Sequence, residues 1–220
     1  MEIRLEQIYW GDMKKVKAIK KLGDSIIHLI FESRQELCET MCRLEEHSES
    51  PEFAGKVFTL GQYRERYSKR YGAWSYYTDW SGFNIPDYAF KAFIEGKFDP
   101  LTEAEQEVVD LFRYKAGPFC VIATFKGSDP DVIPHEVMNG LFYTNQNYKN
   151  EVLELLTKYD TTAVQEHIRS LGYGENVVLD ETHAYIGASS NYLDRNKIEY
   201  PTELRDKLVK LQESYKLSQS

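Results

Sequence analysis

No apolar run in the sequence approaches the length of about eighteen residues that a membrane-spanning helix needs. Met1-Glu2-Ile3-Arg4 does not lead into the apolar core of a signal peptide, so a soluble, cytoplasmic protein with no membrane contact is expected. Cysteine is scarce: there are three in 220 residues, an odd number that cannot all pair. Cys38 and Cys42 lie one helical turn apart without C-x-x-C spacing, which suits buried thiols in a reducing compartment better than a metal clip with His47. Positive charge is in deficit, with 27 Lys and Arg against 35 Asp and Glu, a net charge of −8. Such a chain repels phosphate backbones and anionic lipid, which argues against generic nucleic-acid binding. There is no G-x-S-x-G elbow, P-loop or dinucleotide fingerprint, and no internal repeat, low-complexity segment or interdomain linker.

What is present is apolar and aromatic. Hydrophobic residues make up 42% of the chain and aromatics 14%, including 16 tyrosines, enough to offset the entropy of ordering and bury a core. The expectation is a single domain over 1–220, α+β and mostly helical. Its N-terminal strand and helix half would run to residue 100, followed by a second half carrying the chemistry. Ser25 to Phe31 and Phe119 to Phe125 read as strands. Ser33 with Glu36, Thr59, and Thr102 with Glu105 read as helix starts. Tyr63 to Tyr71 is basic and aromatic; it reads as an amphipathic helix with inward tyrosines and paired arginines ahead of a contact for an anionic partner. Trp74 to Pro86 reads as an aromatic loop, either a cleft wall or a plug on the core. Helical spacing recurs over Asn145–Tyr159, Thr161–Leu171 and from Pro201 onward. His28 and His47 read as a packed strand histidine and a solvated helix-end histidine, and His167 as solvated.

The chemistry centres on Pro134-His135-Glu136-Val137-Met138-Asn139-Gly140 and on Asp180-Glu181-Thr182-His183-Ala184-Tyr185. Residues four apart share a helix face, so His135 and Asn139 point the same way with Glu136 beside them. This is the layout of H-E-x-x-H with the second histidine replaced by Asn139. The two stretches resemble the active-site helix and the third-ligand helix of zincin metallopeptidases of the gluzincin type. The resemblance implies a zincin-like scaffold with a small sheet next to the His135 helix. It also implies a zinc site with His135, Asn139 and Glu181 as ligands, and Glu136 as general base. Zinc would be held weakly or not at all, because an amide is a poorer zinc ligand than imidazole. Tyr143 and Tyr185 lie on the same two helices and are candidates to aid a carbonyl oxygen. His183 stands two residues from Glu181 and therefore on another face of its helix. The implied partner is a peptide or protein, as substrate of a metal-dependent hydrolase or as the ligand of an inactive binding module. Segments around Ser50–Phe53, Asp79–Pro86 and the His135 helix are also similar to stretches of uncharacterised microbial and viral proteins, a likeness that implies no function.

Overall fold

Capping residues and apolar runs become helices and strands as expected in the computed structural model, which describes residues 14–23, 25–129 and 131–217. The chain is 57% helical with a small four-stranded mixed sheet, an α+β fold. Two compact units are built around residues 27–128 and 129–220. Among the described residues no helix is long and apolar enough to cross a membrane.

The first unit runs β1 (Val16–Lys21), β2 (Ile26–Phe31), α1 (Arg34–Glu49), α2 (Leu60–Tyr71), α3 (Tyr76–Asp79), β3 (Gly82–Pro86), α4 (Asp87–Ile94), α5 (Glu103–Phe112) and β4 (Cys120–Phe125). The sheet order is β1-β2-β4-β3. The stretch expected to be an aromatic loop is therefore partly ordered. It holds α3, and β3 pairs antiparallel with β4, Gly82 opposite Thr124 and Pro86 opposite Cys120. Proline is tolerated there because it ends a strand at the sheet's edge, where a missing N–H costs little.

Alternation sends Ile27, Leu29, Phe31, Val121 and Ala123 to one face, where they join Leu37, Met41 and Leu44 of α1 in the core. On the other face His28 is buried with Nε2 2.7 Å from the Thr124 hydroxyl, and burial pulls its pKa down to about 4, with Lys20 adding to the fall. Thr59 with Gln62 and Thr102 with Glu105 form full capping boxes at the starts of α2 and α5. At α1, Ser33 accepts from the Glu36 N–H, but the Glu36 carboxylate pairs with Lys15 instead of closing the box. Arg43 of α1 meets Glu105 of α5 in a buried two-pronged pair at 2.6 and 2.5 Å.

Tyr63 and Tyr67 of α2 are buried, Arg66 pairs with Glu52, Lys69 with Glu65, and the Arg64 guanidinium lies over the Trp74 ring. This is an amphipathic helix whose cations have partners within the chain. His47, expected in solvent, is buried: its Nδ1 bonds the Lys56 carbonyl and its ring packs edge-on against Phe98, because the segment after α1 folds back over the helix end.

From residue 131 to 217 the regular elements of the second unit are all helices: α6 (Val132–Thr144), α7 (Gln146–Leu156), α8 (Thr162–Ser170), α9 (Val178–Ala188), α10 (Ser190–Arg195) and α11 (Thr202–Leu217). Pro134 fits in the first turn of α6, where its missing N–H would have no helical partner. The helix α9 is packed by α6, α7, α8, α10 and α11, and so is buried on nearly every side. A helix so placed must satisfy its polar side chains internally. The Thr182 hydroxyl donates to the Val178 carbonyl at 2.6 Å, and Glu181 bonds side chains of α6. Gly187 makes room for an α6 side chain: a Cβ there would collide with the thioether of Met138, whose sulfur would lie 2.7 Å away.

Candidate functional site

The meeting of α6 and α9 forms a buried polar centre. On α6, His135 and Asn139 share a face by their i, i+4 spacing. On α9, Glu181, Tyr185 and Ser189 follow at intervals of four and make a matching stripe, Ser189 being the first residue past the helix. Three groups of this stripe touch one imidazole. Glu181 Oε2 lies 3.3 Å from His135 Nε2, Ser189 Oγ lies 3.0 Å from His135 Nδ1, and the Tyr185 ring stands edge-on to the His135 ring with centroids 5.0 Å apart. The second carboxylate oxygen of Glu181 accepts from the Asn139 amide at 3.0 Å. His135, Asn139 and Glu181 are all buried.

Glu136 is half-buried on α6. Loss of water around its carboxyl pushes the pKa up to about 7; the charge of His135 opposes the rise and that of Glu181 adds to it. Tyr185 is raised by burial, with the negative charge of Glu181 contributing and Tyr173 opposing, so it remains a neutral hydroxyl. Tyr143 lies two turns beyond His135 on α6 with 40% of its surface exposed.

His183 takes no part in this centre. Its ring is fully buried on another face of α9, stacked on Phe142 and edge-on to Tyr148, and its Nδ1 bonds the Asp180 carbonyl. Burial is the main cause that drives its pKa down to about 3, so the ring is neutral. His167, expected in solvent, is half-buried with Nε2 3.2 Å from the Tyr192 hydroxyl, because α10 folds back beside α8. Tyr192 in turn packs against Tyr185.

No protein-family model matches the chain, and no curated protein or solved structure matches it. What the centre can do must therefore be read from its donors.

Two ligands of a tetrahedral ion bound at 2.0–2.1 Å stand about 3.3 Å apart. That is the separation of His135 Nε2 and Glu181 Oε2. The third member is an amide rather than an imidazole, and among the described residues no group of three or more His, Cys, Asp and Glu side chains is arranged to hold a metal ion. Asn139 Oδ1 is buried without a hydrogen-bond partner, an acceptor in need of a donor or a cation. The donors at hand are one nitrogen, one carboxylate and one amide; the amide turns its NH2 toward Glu181, so its oxygen would meet a cation there only after the side chain turned over.

Ser189 is the contact that sequence reasoning missed. Its one signal is its place eight residues past Glu181, on the stripe that also holds Tyr185.

Proposed function

We propose that the centre between α6 and α9 is a zincin-like, peptidase-like site with a degenerate metal set. In this reading His135 and Glu181 keep the ligand places, Asn139 stands where a second imidazole belongs, and Glu136 is the base. The observation that carries it is the convergence of His135 and Asn139 of one helix on the Glu181 carboxylate of another, at 3.3 and 3.0 Å. Zinc, when bound at such a site, polarises a carbonyl and acidifies water. The chain's own contribution is to hold Glu136 with a pKa of about 7, matched to taking a proton near neutrality, beside that centre. The substrate class is peptide or protein.

A second reading, a binding module without hydrolysis, is favoured by one feature. Both oxygens of Glu181 are already engaged by His135 and Asn139, so direct hydrogen bonds close the centre without a metal.

The deciding measurement is zinc binding by the natural protein and by Asn139→His, by elemental analysis and by titration calorimetry. The natural protein should carry substoichiometric zinc or none. Asn139→His should bind zinc at least about tenfold more tightly, because imidazole replaces an amide. A folded Asn139→His protein that binds no zinc would refute the zincin-like reading. Full zinc occupancy of the natural protein would favour the active peptidase over the binding module.

A further inference from the structure

Ser189 occupies a position at which serine ordinarily does something else. It is the N-cap residue of α10, where a hydroxyl normally accepts from an N–H of the first turn. Here it makes no cap bond. The first turn of α10 is held through the backbone instead, the Ser189 carbonyl accepting from the N–H groups of Tyr192 and Leu193. The hydroxyl is committed to Nδ1 of His135, 3.0 Å away and 54 residues earlier in the chain.

A neutral imidazole has one N–H and one lone pair. With Nε2 facing the Glu181 carboxylate, which can only accept, the proton of neutral His135 belongs on Nε2. Nδ1 is then an acceptor, and Ser189 must donate to it. A cation on Nε2 reverses the assignment: the proton moves to Nδ1, and Ser189 must accept. A backbone carbonyl or a carboxylate, the usual partner of a metal-ligating histidine, would favour the second state alone. A hydroxyl serves both by turning its O–H bond.

We infer that Ser189 is a tautomer switch for His135, a positioning residue that lets the centre close on itself without a cation and reopen to one. The cation-bound half of this inference rests on the zincin-like reading. Both states keep every hydrogen-bonding atom of the ring partnered: Nε2 by Glu181 or by the ion, and Nδ1 by Ser189 throughout.

The test uses the full chain carrying Asn139→His, with zinc as the only added ion. At a pH of about 8, well above the ordinary imidazole range, nitrogen NMR of the His135 ring should show the Nε2–H tautomer without zinc and the Nδ1–H tautomer with it. Adding Ser189→Ala should weaken zinc binding by about 10–100-fold, the usual effect of removing an outer partner of a ligating histidine. Adding Ser189→Thr, which keeps the hydroxyl, should leave the affinity within about threefold of the parent. Circular dichroism of each variant checks that the helices are intact.

If Asn139→His binds zinc and Ser189→Ala leaves its affinity and the His135 tautomer unchanged, the switch is overturned while the zincin-like reading stands. Loss of affinity in both Ser189 variants would mean that bulk or packing at 189 matters and not its hydroxyl, which also overturns the switch. Failure of Asn139→His itself to bind zinc removes the zincin-like reading and the switch together.

Discussion

Replacing His183 with asparagine should flatten the acid limb of the stability profile. The ring is fully buried, and its pKa falls from 6.5 to about 3 in the native state. A pKa depressed on folding contributes stability that is present above the unfolded value and lost as pH falls through the window between the two. Between pH 6.5 and pH 4 the unfolded chain takes up a proton that the native ring refuses. At about 1.4 kcal/mol per pH unit over roughly 2.5 units, the cost is about 3 kcal/mol. Asparagine can still donate to the Asp180 carbonyl but carries no titrating ring. The variant should lose about 1–3 kcal/mol at pH 7.5, because the stacking on Phe142 is gone. It should regain most of that difference by pH 4. The assay is urea unfolding followed by far-ultraviolet circular dichroism at a series of pH values. Tryptophan fluorescence would be the wrong probe, since Trp74 and Trp80 lie in the first unit and residues 129–220 contain no tryptophan. Stability curves of variant and parent that run parallel from pH 7.5 to pH 4 would refute the reasoning, since they would mean that native His183 accepts its proton as readily as the unfolded chain.

Glu136 should act with the opposite sign. Its raised pKa makes its contribution to stability complete below 4.5 and progressively lost as pH rises to about 7. Glu136→Gln should therefore stabilise the metal-free protein at pH 8 by up to about 3 kcal/mol, at about 1.4 kcal/mol for each pH unit between those two values, and change little at pH 4. Equal melting temperatures of variant and parent at pH 8 would contradict this. Glu105→Gln keeps a side chain able to close the capping box with Thr102 but leaves the buried Arg43 cation without its carboxylate. It should cost about 3–5 kcal/mol by chemical denaturation. A loss below about 1 kcal/mol would place that pair with ordinary surface ion pairs.

The elements legible in the sequence are those with local signals. Thr59 and Thr102 announce their helices by hydroxyls that accept from the third residue on, and β2 and β4 stand out as largely apolar runs rich in β-branched residues, each interrupted by one polar side chain, His28 and Thr124. The missed elements owe their form to partners distant in sequence. Val16–Lys21 holds three lysines and becomes a strand through its place beside β2, and Gly82–Pro86 has turn-forming residues at both ends and becomes one through β4. At the centre, the face shared by His135 and Asn139 follows from helical periodicity alone, as does the separation of His183 from Glu181. Ser189 could not be read in this way, because its hydroxyl had an ordinary local use as a cap. Only the packing of α9 on α6 shows that the use is forgone. His47 and His167 were misjudged for a similar reason, their burial depending on segments that return from elsewhere in the chain.

The missing side chain at Gly187 is replaced in space by a movable one. The thioether of Met138 fills the place that a Cβ at 187 would take, with its sulfur 2.7 Å from that point. A methionine tip swings aside more readily than a backbone shifts, so a methyl group at 187 would be absorbed by repacking Met138 while α6 and α9 kept their places, at a cost of about 1–3 kcal/mol in lost fit. The joint that carries the polar centre is thus cushioned at this point by a side chain that can yield.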